Sequence, residues 1–335
     1  MKNRLITICV LCLAILGCKS NQDFRYDQIE GFAQGTTYNI TFENKTSKNY
    51  APIIDSILKD FDMSLSEYQP ASIVSRINAN DPTVMVDKHF KSVFEKSKQI
   101  WEQSGGLMDI TVGPIIDALG FGPTSKTPID SAKIKSLLRY VGFEKVHLEN
   151  NKLIKADTAM KIDVNSIAQG YSVDVVSNFF DSEGIKNYLV EIGGEVRARG
   201  KNSKGLYWRI GIDKPEEGNM VPGEKLQVII SLNNQSVTTS GNYRKFYEEN
   251  GIKYSHIINP KTGFPVNSRL LSVSIVAKDC ITADGWDTPL MVMGLEKSIE
   301  TLKNHPELEG LLIYSDDSGN YREYMTSGFK RMITR

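Results

Sequence analysis

Strand-like and helix-like segments follow one another unevenly along the chain, and several predicted strands are neighbours in sequence. The run TTYNITF at residues 36–42 alternates apolar and polar residues, as a half-buried strand does. Further strands are predicted at 187–193, 207–212, 226–232, 270–277 and 308–316, and helices at 53–61, 90–101, 166–180 and 283–304. This order predicts an α+β fold with mixed or antiparallel sheets and packed helices, not a regular βαβ winding.

The first 18 residues are typical of a bacterial export signal. Lys2 and Arg4 precede a mostly apolar run at 5–16, which is too short to span a bilayer. The run ends in Gly17 and Cys18, which together resemble a lipobox. We predict a signal peptide at 1–17, a lipidated Cys18 with a tether to residue 30, and one large domain at 31–335. The alternative is an ordinary secretory signal in which Cys18 is incidental.

Composition excludes one class of partner and most cysteine chemistry. The chain has 40 basic and 40 acidic residues, with no basic stripe, which argues against nucleic acid as a partner. Removal of the signal and lipidation of Cys18 would leave Cys280 as the one remaining thiol, so the mature domain has no internal disulfide. Cys280 ends an apolar run, and we expect it to be a buried packing residue rather than a nucleophile.

A cluster of oxygen side chains lies in the segment ITADGWDTPLMVMG at 281–294. Asp284, Asp287 and Thr288 fall at i, i+3 and i+4, so a helix beginning here places all three on one face. Pro289 suits the first turn of such a helix. Two carboxylates and a hydroxyl without Cys or His favour Mg²⁺ over Zn²⁺, and Mg²⁺ commonly binds substrate phosphates. The alternative is a helix cap that complements the helix dipole.

Three glycine-containing turns could approach a ligand closely. The first, at 105–114, is either a ligand-binding loop or a helix stop and turn. The second, at 163–171, places Asp163 between a strand-like run and a helix, where Asp163 or Asn165 could present oxygens to a ligand or cap the helix. The third ends in Glu195, which we interpret as an ion-pairing or capping residue.

His256 is one of four histidines in the chain and precedes a Pro/Gly turn. A lone histidine usually has a structural role. If it faces the Asp284 cluster, it could instead accept a proton from an attacking hydroxyl at neutral pH. The chain contains no GxSxG or HExxH motif, and its CxxC at Cys9 and Cys12 lies in the predicted signal peptide, so serine hydrolase, zincin and thioredoxin-like chemistry of the mature domain are disfavoured.

Eight segments resemble, in order, those of the FAD:protein FMN transferase family, the ApbE type, and the resemblance covers about residues 31–325. They are GFAQGTTYNI, SEYQPASIVSRIN, GGLMDITVGPIIDALGFG, IDVNSIAQGYSVD, VEIGGEVRARG, TTSGNYRKFY, SHIINPKTGFPV and ITADGWDTPLMVMGLEKSIE. The resemblance implies a Mg²⁺-dependent enzyme that splits FAD, its substrate, at the pyrophosphate. FMN would pass to a Thr or Ser hydroxyl of an acceptor flavoprotein as a phosphoester, and AMP would leave.

The resemblance also implies partners and a location. The acceptor would be a membrane-linked redox subunit that exposes a Thr in a small-residue motif. The lipid on Cys18 would anchor the catalytic domain at 31–335 to a membrane of the bacterial cell envelope, facing the periplasm.

Site residues are implied by matching each family motif to this sequence. The metal site would comprise Asp284, Asp287, Thr288 and the backbone carbonyl of Ser166. Tyr68 would lie against the flavin ring, and Gln34 stands where the family usually has Met. The other residues of the dinucleotide pocket would be Leu107, Met108, Asp109, Asp163, Gln169 and Ile258. His256 is our candidate general base, with Asp109 or an adjacent carboxylate as the alternative.

Two rival functions are compatible with the same residues. One is an FAD pyrophosphatase, in which water replaces the acceptor hydroxyl; the aromatic Tyr68, suited to holding FMN, favours transfer over this reading. The other is a non-catalytic lipoprotein that binds FAD, which the complete set of Asp284, Asp287 and Thr288 disfavours.

Overall fold

The computed structural model describes residues 25–123, 130–216, 218–219, 221, 223–242, 246–249 and 252–334. The predicted signal peptide and Cys18 lie outside these ranges. Within the described ranges, no helix combines the length and the apolar character needed to cross a membrane.

The described chain folds into fourteen strands and nine α-helices, α1 to α9. The strands are β1 Tyr26–Ala33, β2 Thr36–Glu43, β3 Val146–Glu149, β4 Lys152–Lys155, β5 Tyr188–Ile192, β6 Glu195–Arg199, β7 Trp208–Asp213, β8 Leu226–Leu232, β9 Gln235–Gly241, β10 Phe246–Glu249, β11 Ile252–Ser255, β12 Leu270–Ala277, β13 Glu309–Ser315 and β14 Tyr321–Met325. The helices are Ala51–Leu65, Ile73–Asn78, Lys88–Gln103, Gly113–Leu119, Ser131–Leu138, Ala168–Ser182, Cys280–Met293, Leu295–Asn304 and Ser327–Met332.

One eight-stranded sheet forms the centre of the molecule, in the order β1-β2-β5-β6-β9-β12-β13-β14. Every neighbouring pair in it is antiparallel. The predicted α+β class is therefore confirmed, with the large sheet antiparallel rather than mixed. Three further pairs, β3–β4, β7–β8 and β10–β11, form separate hairpins.

The sheet begins earlier in the chain than the sequence predicted. Strand β1 starts at Tyr26 and pairs with β2 along its whole length. Residues 26–30 therefore belong to the sheet and not to a tether, which corrects the predicted boundary at residue 31. The sequence of this edge strand shows no clear apolar alternation, since only Ile29 in it is buried.

The two faces of the sheet carry different layers, and β6 shows how its sequence separates them. Val196 and Ala198 belong to a core cluster shared with β7, β8 and α9 on one face. Side chains of alternate residues point to opposite faces of a strand. Arg197, between those two, points to the other face and pairs with Asp174 of α6 at 2.6 Å. The same alternation directs Glu195 to the face that α6 and α7 cover.

Helix α7 begins before the predicted start and ends before the predicted end. Asp279 caps it by accepting a hydrogen bond from the Thr282 amide, so Pro289 lies inside the helix and not in its first turn. The helix ends at Gly294, whose φ of 77° is outside the helical region, and α8 follows. The single helix predicted at 283–304 is therefore two.

Candidate active site

Helices α6 and α7 cap each other at their N-termini. Oδ2 of Asp284 in α7 accepts a hydrogen bond of 2.7 Å from the amide of Gly170 in the first turn of α6. In return, Asp174 of α6 accepts hydrogen bonds from the amides of Cys280 and Ile281, at 3.0 and 2.8 Å. Each carboxylate thus satisfies amides that a helix start leaves without an intrahelical partner. The position of Asp284 is fixed by this exchange.

Gly170 permits the two helices to approach closely enough for that exchange. A Cβ on Gly170 would lie 2.5 Å from both the Asp284 Cβ and the Cys280 carbonyl oxygen. Among the described residues, the Gly170 amide donates to Asp284 and not to the Ser166 carbonyl, its partner in a regular helix. Ser166 lies in the turn that leads into α6, and its carbonyl remains available for another partner.

Three carboxylates converge where α7 crosses β6. One oxygen each of Glu195, Asp284 and Asp287 lie within 4.8 Å of one another. Asp284 and Asp287 are buried, and Oε2 of Glu195 is a buried atom with no hydrogen-bond partner among the described residues. The prediction that Glu195 is an ion-pairing or capping residue is therefore wrong, because its side chain joins an acidic cluster.

Burial dominates the electrostatics of this cluster. It raises the pKa of Asp284 to about 7, even though the Gly170 amide favours the charged form. Burial, followed by the charge of Asp284, raises the pKa of Asp287 well above its ordinary value. Burial and the charges of Asp284 and Asp287 do the same for Glu195. Three carboxylates held this close repel one another, and a cation among them would relieve the repulsion.

Hydroxyl groups complete the oxygen-rich surroundings. Ser240 of β9 donates a 2.8 Å hydrogen bond to Oδ1 of Asp287, and its oxygen lies 3.1 Å from the Thr288 hydroxyl. Thr288 itself lies 3.3 Å from the same Asp287 oxygen. The structure thus brings the predicted residues Asp284, Asp287 and Thr288 together in the middle of α7, and adds Ser240 and Glu195.

Gln169 and Gln34 lie at the edge of this region, near the α6 N-terminus. Gln169 Nε2 donates to the Ile192 carbonyl at 3.3 Å, immediately before the glycine turn between β5 and β6. Gln34 occupies the tight β1–β2 turn with a φ of 55°, and its Oε1 lies 3.2 Å from the Ser172 hydroxyl of α6. Its Nε2 is buried without a hydrogen-bond partner among the described residues, so it can donate to a ligand.

A second acidic group connects three predicted binding segments. The Asp163 amide donates to the Ile110 carbonyl at 2.7 Å, which ties the 163–166 turn to the 105–114 loop. Its carboxyl group is hydrogen-bonded to that of Glu67, which precedes Tyr68. Burial, followed by the charge of Asp163, raises the pKa of Glu67 to about 10, and burial also raises the pKa of Asp163. Tyr68 is 61% exposed, so its ring is free to stack on a planar ligand.

In the loop at 105–114, the predicted binding residues take part in contacts within the protein. Asp109 accepts hydrogen bonds from Thr111 at Oδ1 and from the Phe143 amide at Oδ2, so both of its oxygens are engaged within the protein. This favours a role for Asp109 in shaping the loop over a role as general base. Met108 is buried in the main core, so only its backbone can face a ligand. Leu107 is partly exposed, and its amide donates to Ser104 at 3.2 Å.

A cleft of about 580 Å³ is lined in part by the same loop. Asp109 contributes to its wall, beside Gly105, Gly106 and Lys261. None of the other predicted nucleotide-binding residues lines it. We therefore place the candidate site at the α6–α7 carboxylates and not in this cleft.

His256 follows β11 and packs against Phe121, with ring centroids 6.4 Å apart. The described hydrogen bonds of Asp284 and Asp287 are made with Gly170, Ser240 and Thr288 rather than with His256. Ile258 is buried in a small cluster with Ile115 of α4. The structure places this segment beside α4, and its roles as base and pocket wall stay predictions.

Comparison with known proteins identifies the family. The model of the ApbE family matches residues 34–312. The FAD:protein FMN transferase of Vibrio cholerae is 35% identical, and the alignment covers 100% of both chains. That of Haemophilus influenzae is 33% identical over 99% of both chains.

Solved structures give the same result. The flavin transferase ApbE from Vibrio cholerae superposes with a TM-score of 0.82 at 34% identity, covering 92% of this chain and 99% of that chain. The apbe protein from Thermotoga maritima reaches 0.80 at 26% identity, over 93% and 100% of the two chains. The large antiparallel sheet with its packed helices is thus the fold of these proteins.

The chain belongs to the ApbE family, as the eight sequence segments predicted. The relatives that it matches over nearly its full length are FAD:protein FMN transferases, and the chain is an enzyme of that class.

Proposed function

We propose that the protein cleaves the pyrophosphate of FAD, attaches FMN through a phosphoester to a Thr or Ser of an acceptor flavoprotein, and releases AMP. The relatives named above supply the reaction class. The observation that carries the proposal for this chain is the cluster of Glu195, Asp284 and Asp287, with one buried carboxylate oxygen left without a partner. Such a cluster suits a cation that binds phosphate.

Mg²⁺ fits the residues present. The donors are carboxylates, the Thr288 hydroxyl and the Ser166 carbonyl, and an all-oxygen set favours Mg²⁺ over softer metals. Asp284, Asp287, Thr288 and Ser166 would hold it, and Glu195 adds a third carboxylate that the sequence motif did not include. When bound, the ion neutralises charge that develops on the phosphate oxygens during phosphoryl transfer.

The protein's own contribution is mainly positioning. The mutual capping of α6 and α7 fixes Asp284 before any ligand arrives, so little reorganisation is needed. Tyr68 would stack on the flavin ring, and Gln34, Leu107, Met108, Asp109, Asp163, Gln169 and Ile258 would surround the dinucleotide. His256 would accept the proton of the attacking hydroxyl.

The location of the enzyme forms a further part of the proposal. The lipobox-like Gly17-Cys18 supports a lipid anchor in the bacterial cell envelope, with the domain facing the periplasm. The acceptor would then be a membrane-linked redox subunit, which the same membrane brings close.

One experiment separates transfer from its two rivals. The full chain in detergent is incubated with FAD, Mg²⁺ and a candidate acceptor, and acceptor mass, AMP and FMN are measured. Acceptor gain with AMP supports the transferase. Free FMN with AMP identifies a pyrophosphatase, and unchanged FAD a binding protein. Asp284→Ala should abolish the reaction, while Asp317→Ala, which removes a carboxylate that is 94% exposed, should not.

A further inference from the structure

Glu67 lies between α1 and α2, next to Tyr68, and its carboxyl group reaches the turn that leads into α6. Its Oε1 accepts hydrogen bonds from the Val164 amide at 3.3 Å and from Asn165 Nδ2 at 3.2 Å. The other end of the same turn is fixed by the hydrogen bond from Asp163 to Ile110. Glu67 therefore joins a loop that carries an exposed aromatic ring to a turn that carries Asp163 and Ser166.

The Glu67 carboxyl group is the neutral member of its pair with Asp163. Asp163 is buried and Glu67 is partly buried, so both are in surroundings that disfavour charge, and two adjacent carboxyl groups of this kind resist ionising together. The nearby Lys161 does not compensate them, because it pairs with Asp117 at 2.5 Å. The hydrogen bond between the two groups raises the pKa of Glu67 and lowers that of Asp163, so the proton resides on Glu67 and is donated to Asp163.

A neutral Glu67 thus makes three hydrogen bonds that a neutral amide could also make. It accepts twice through Oε1 and donates once to Asp163. Glutamine has one carbonyl oxygen and one NH₂ group in the same positions. The conservative variant Glu67→Gln can therefore preserve the whole arrangement, whereas Glu67→Ala removes all three hydrogen bonds.

We infer that Glu67 is a positioning residue for FAD, which holds the 163–166 turn against the Tyr68 loop and so sets the shape of the nucleotide site. This rests on the proposed function, since FAD is the ligand. The residue acts through Asp163 and Tyr68 and not on the reacting phosphate. Its loss should therefore weaken FAD binding and leave the chemical step intact.

The test compares FAD binding with turnover in the full chain. FAD binding is measured by quenching of flavin fluorescence, and turnover by AMP release with saturating FAD, Mg²⁺ and acceptor. Glu67→Ala should raise the Kd and KM for FAD about tenfold. This factor corresponds to about 1.4 kcal/mol, a typical loss when hydrogen bonds that hold a binding site in shape are removed. The kcat should change less than about threefold, and Glu67→Gln should restore binding. Glu300→Ala, an exposed glutamate on α8, is the matched control.

Three outcomes would overturn the inference: unchanged FAD binding in Glu67→Ala, a fall in kcat without a change in Kd, or equal losses in the Gln and Ala variants. If Glu67→Ala does not fold, Asn165→Ala removes one of the same hydrogen bonds from an exposed residue and should raise the Kd by a smaller factor. Unchanged binding in that variant would also overturn it. Failure of the proposed function would look different from failure of this inference. In that case the wild-type protein would bind FAD but release no AMP.

Discussion

The amide of Gly170 donates to Oδ2 of Asp284 across 2.7 Å, at a point where the backbones of α6 and α7 leave no space for a Cβ. One residue thus provides both the hydrogen bond that orients a carboxylate and the close approach that makes the bond possible. Because the amide is at a helix N-terminus, it also favours the charged form of Asp284. The site depends on a residue that has no side chain.

Gly170→Ala should disrupt both functions. A methyl group 2.5 Å from Cys280 backbone oxygen cannot be accommodated without separating the helices, and overpacking of this kind costs about 1–3 kcal/mol. We expect the free energy of unfolding, measured with urea, to fall by this amount, and AMP release to fall strongly. Ser182→Ala, at the exposed C-terminal end of the same helix, is the control and should have little effect on either. Wild-type stability in Gly170→Ala would show that the helices can separate freely.

Mg²⁺ should stabilise the folded protein through the three carboxylates. A ligand at 100 times its Kd adds about 2.7 kcal/mol to the free energy of unfolding. The Tm should therefore rise with Mg²⁺ and fall back to its metal-free value when EDTA is added. Glu195→Gln replaces one of the three clustered carboxyl groups with an amide that carries no charge at any pH. We expect it to be more stable than wild type without metal and to gain less from Mg²⁺. An undiminished Mg²⁺ effect in this variant would exclude Glu195 from the metal site.

Much of the fold could be predicted from local patterns. Helix α3 is an example, since its apolar residues recur at helical spacing, Asp87 accepts a hydrogen bond from the Phe90 amide as an N-cap does, and Gly105 follows the helix end. The start of α7 was missed because this helix is buried on nearly every side, which removes the amphipathic period. Pro289 then suggested a first turn, although tertiary packing tolerates it inside the helix.

The site was predictable only where its residues share a helix. Asp284, Asp287 and Thr288 are one turn apart, so the sequence alone placed them together. Glu195 and Glu67 join their clusters only through strand alternation and loop packing across distant parts of the chain. The glycine pair before Glu195 marked a close-approach turn, but nothing in the sequence indicated which helix the side chain would face.

His256→Ala should lower turnover more than FAD affinity. A positioned general base contributes about 10²–10⁴ to the rate, so the kcat should fall within that range if His256 accepts the proton of the acceptor hydroxyl. His256 packs against Phe121, and Phe121→Leu, which alters the packing but keeps the imidazole, is the control. A rise in the Kd for FAD with unchanged kcat would make His256 a binding residue.

Cys18→Ser should release the protein from membranes. A thiol is needed for lipidation, and a lipid chain anchors a protein by burial of its methylene groups. Fractionation of cells that express the full chain would show the variant in the soluble fraction. Cys12→Ser, in the apolar run before the lipobox-like pair, should leave the distribution unchanged. Membrane association of Cys18→Ser would exclude the lipid anchor.

The Glu67–Asp163 pair should make stability depend on pH. The pKa of Glu67 is raised from 4.5 to about 10 in the folded protein, which therefore binds this proton more tightly than the unfolded chain. The stabilisation from this group is complete below pH 4.5 and is lost as pH rises towards 10. Glu67→Gln cannot lose a proton, so its unfolding free energy should decline less over that window and exceed that of wild type at the alkaline end. Urea unfolding at about pH 5, 7 and 9 measures the difference, with Glu300→Gln as the control. Parallel pH profiles for wild type and Glu67→Gln would mean that the pair holds no shared proton.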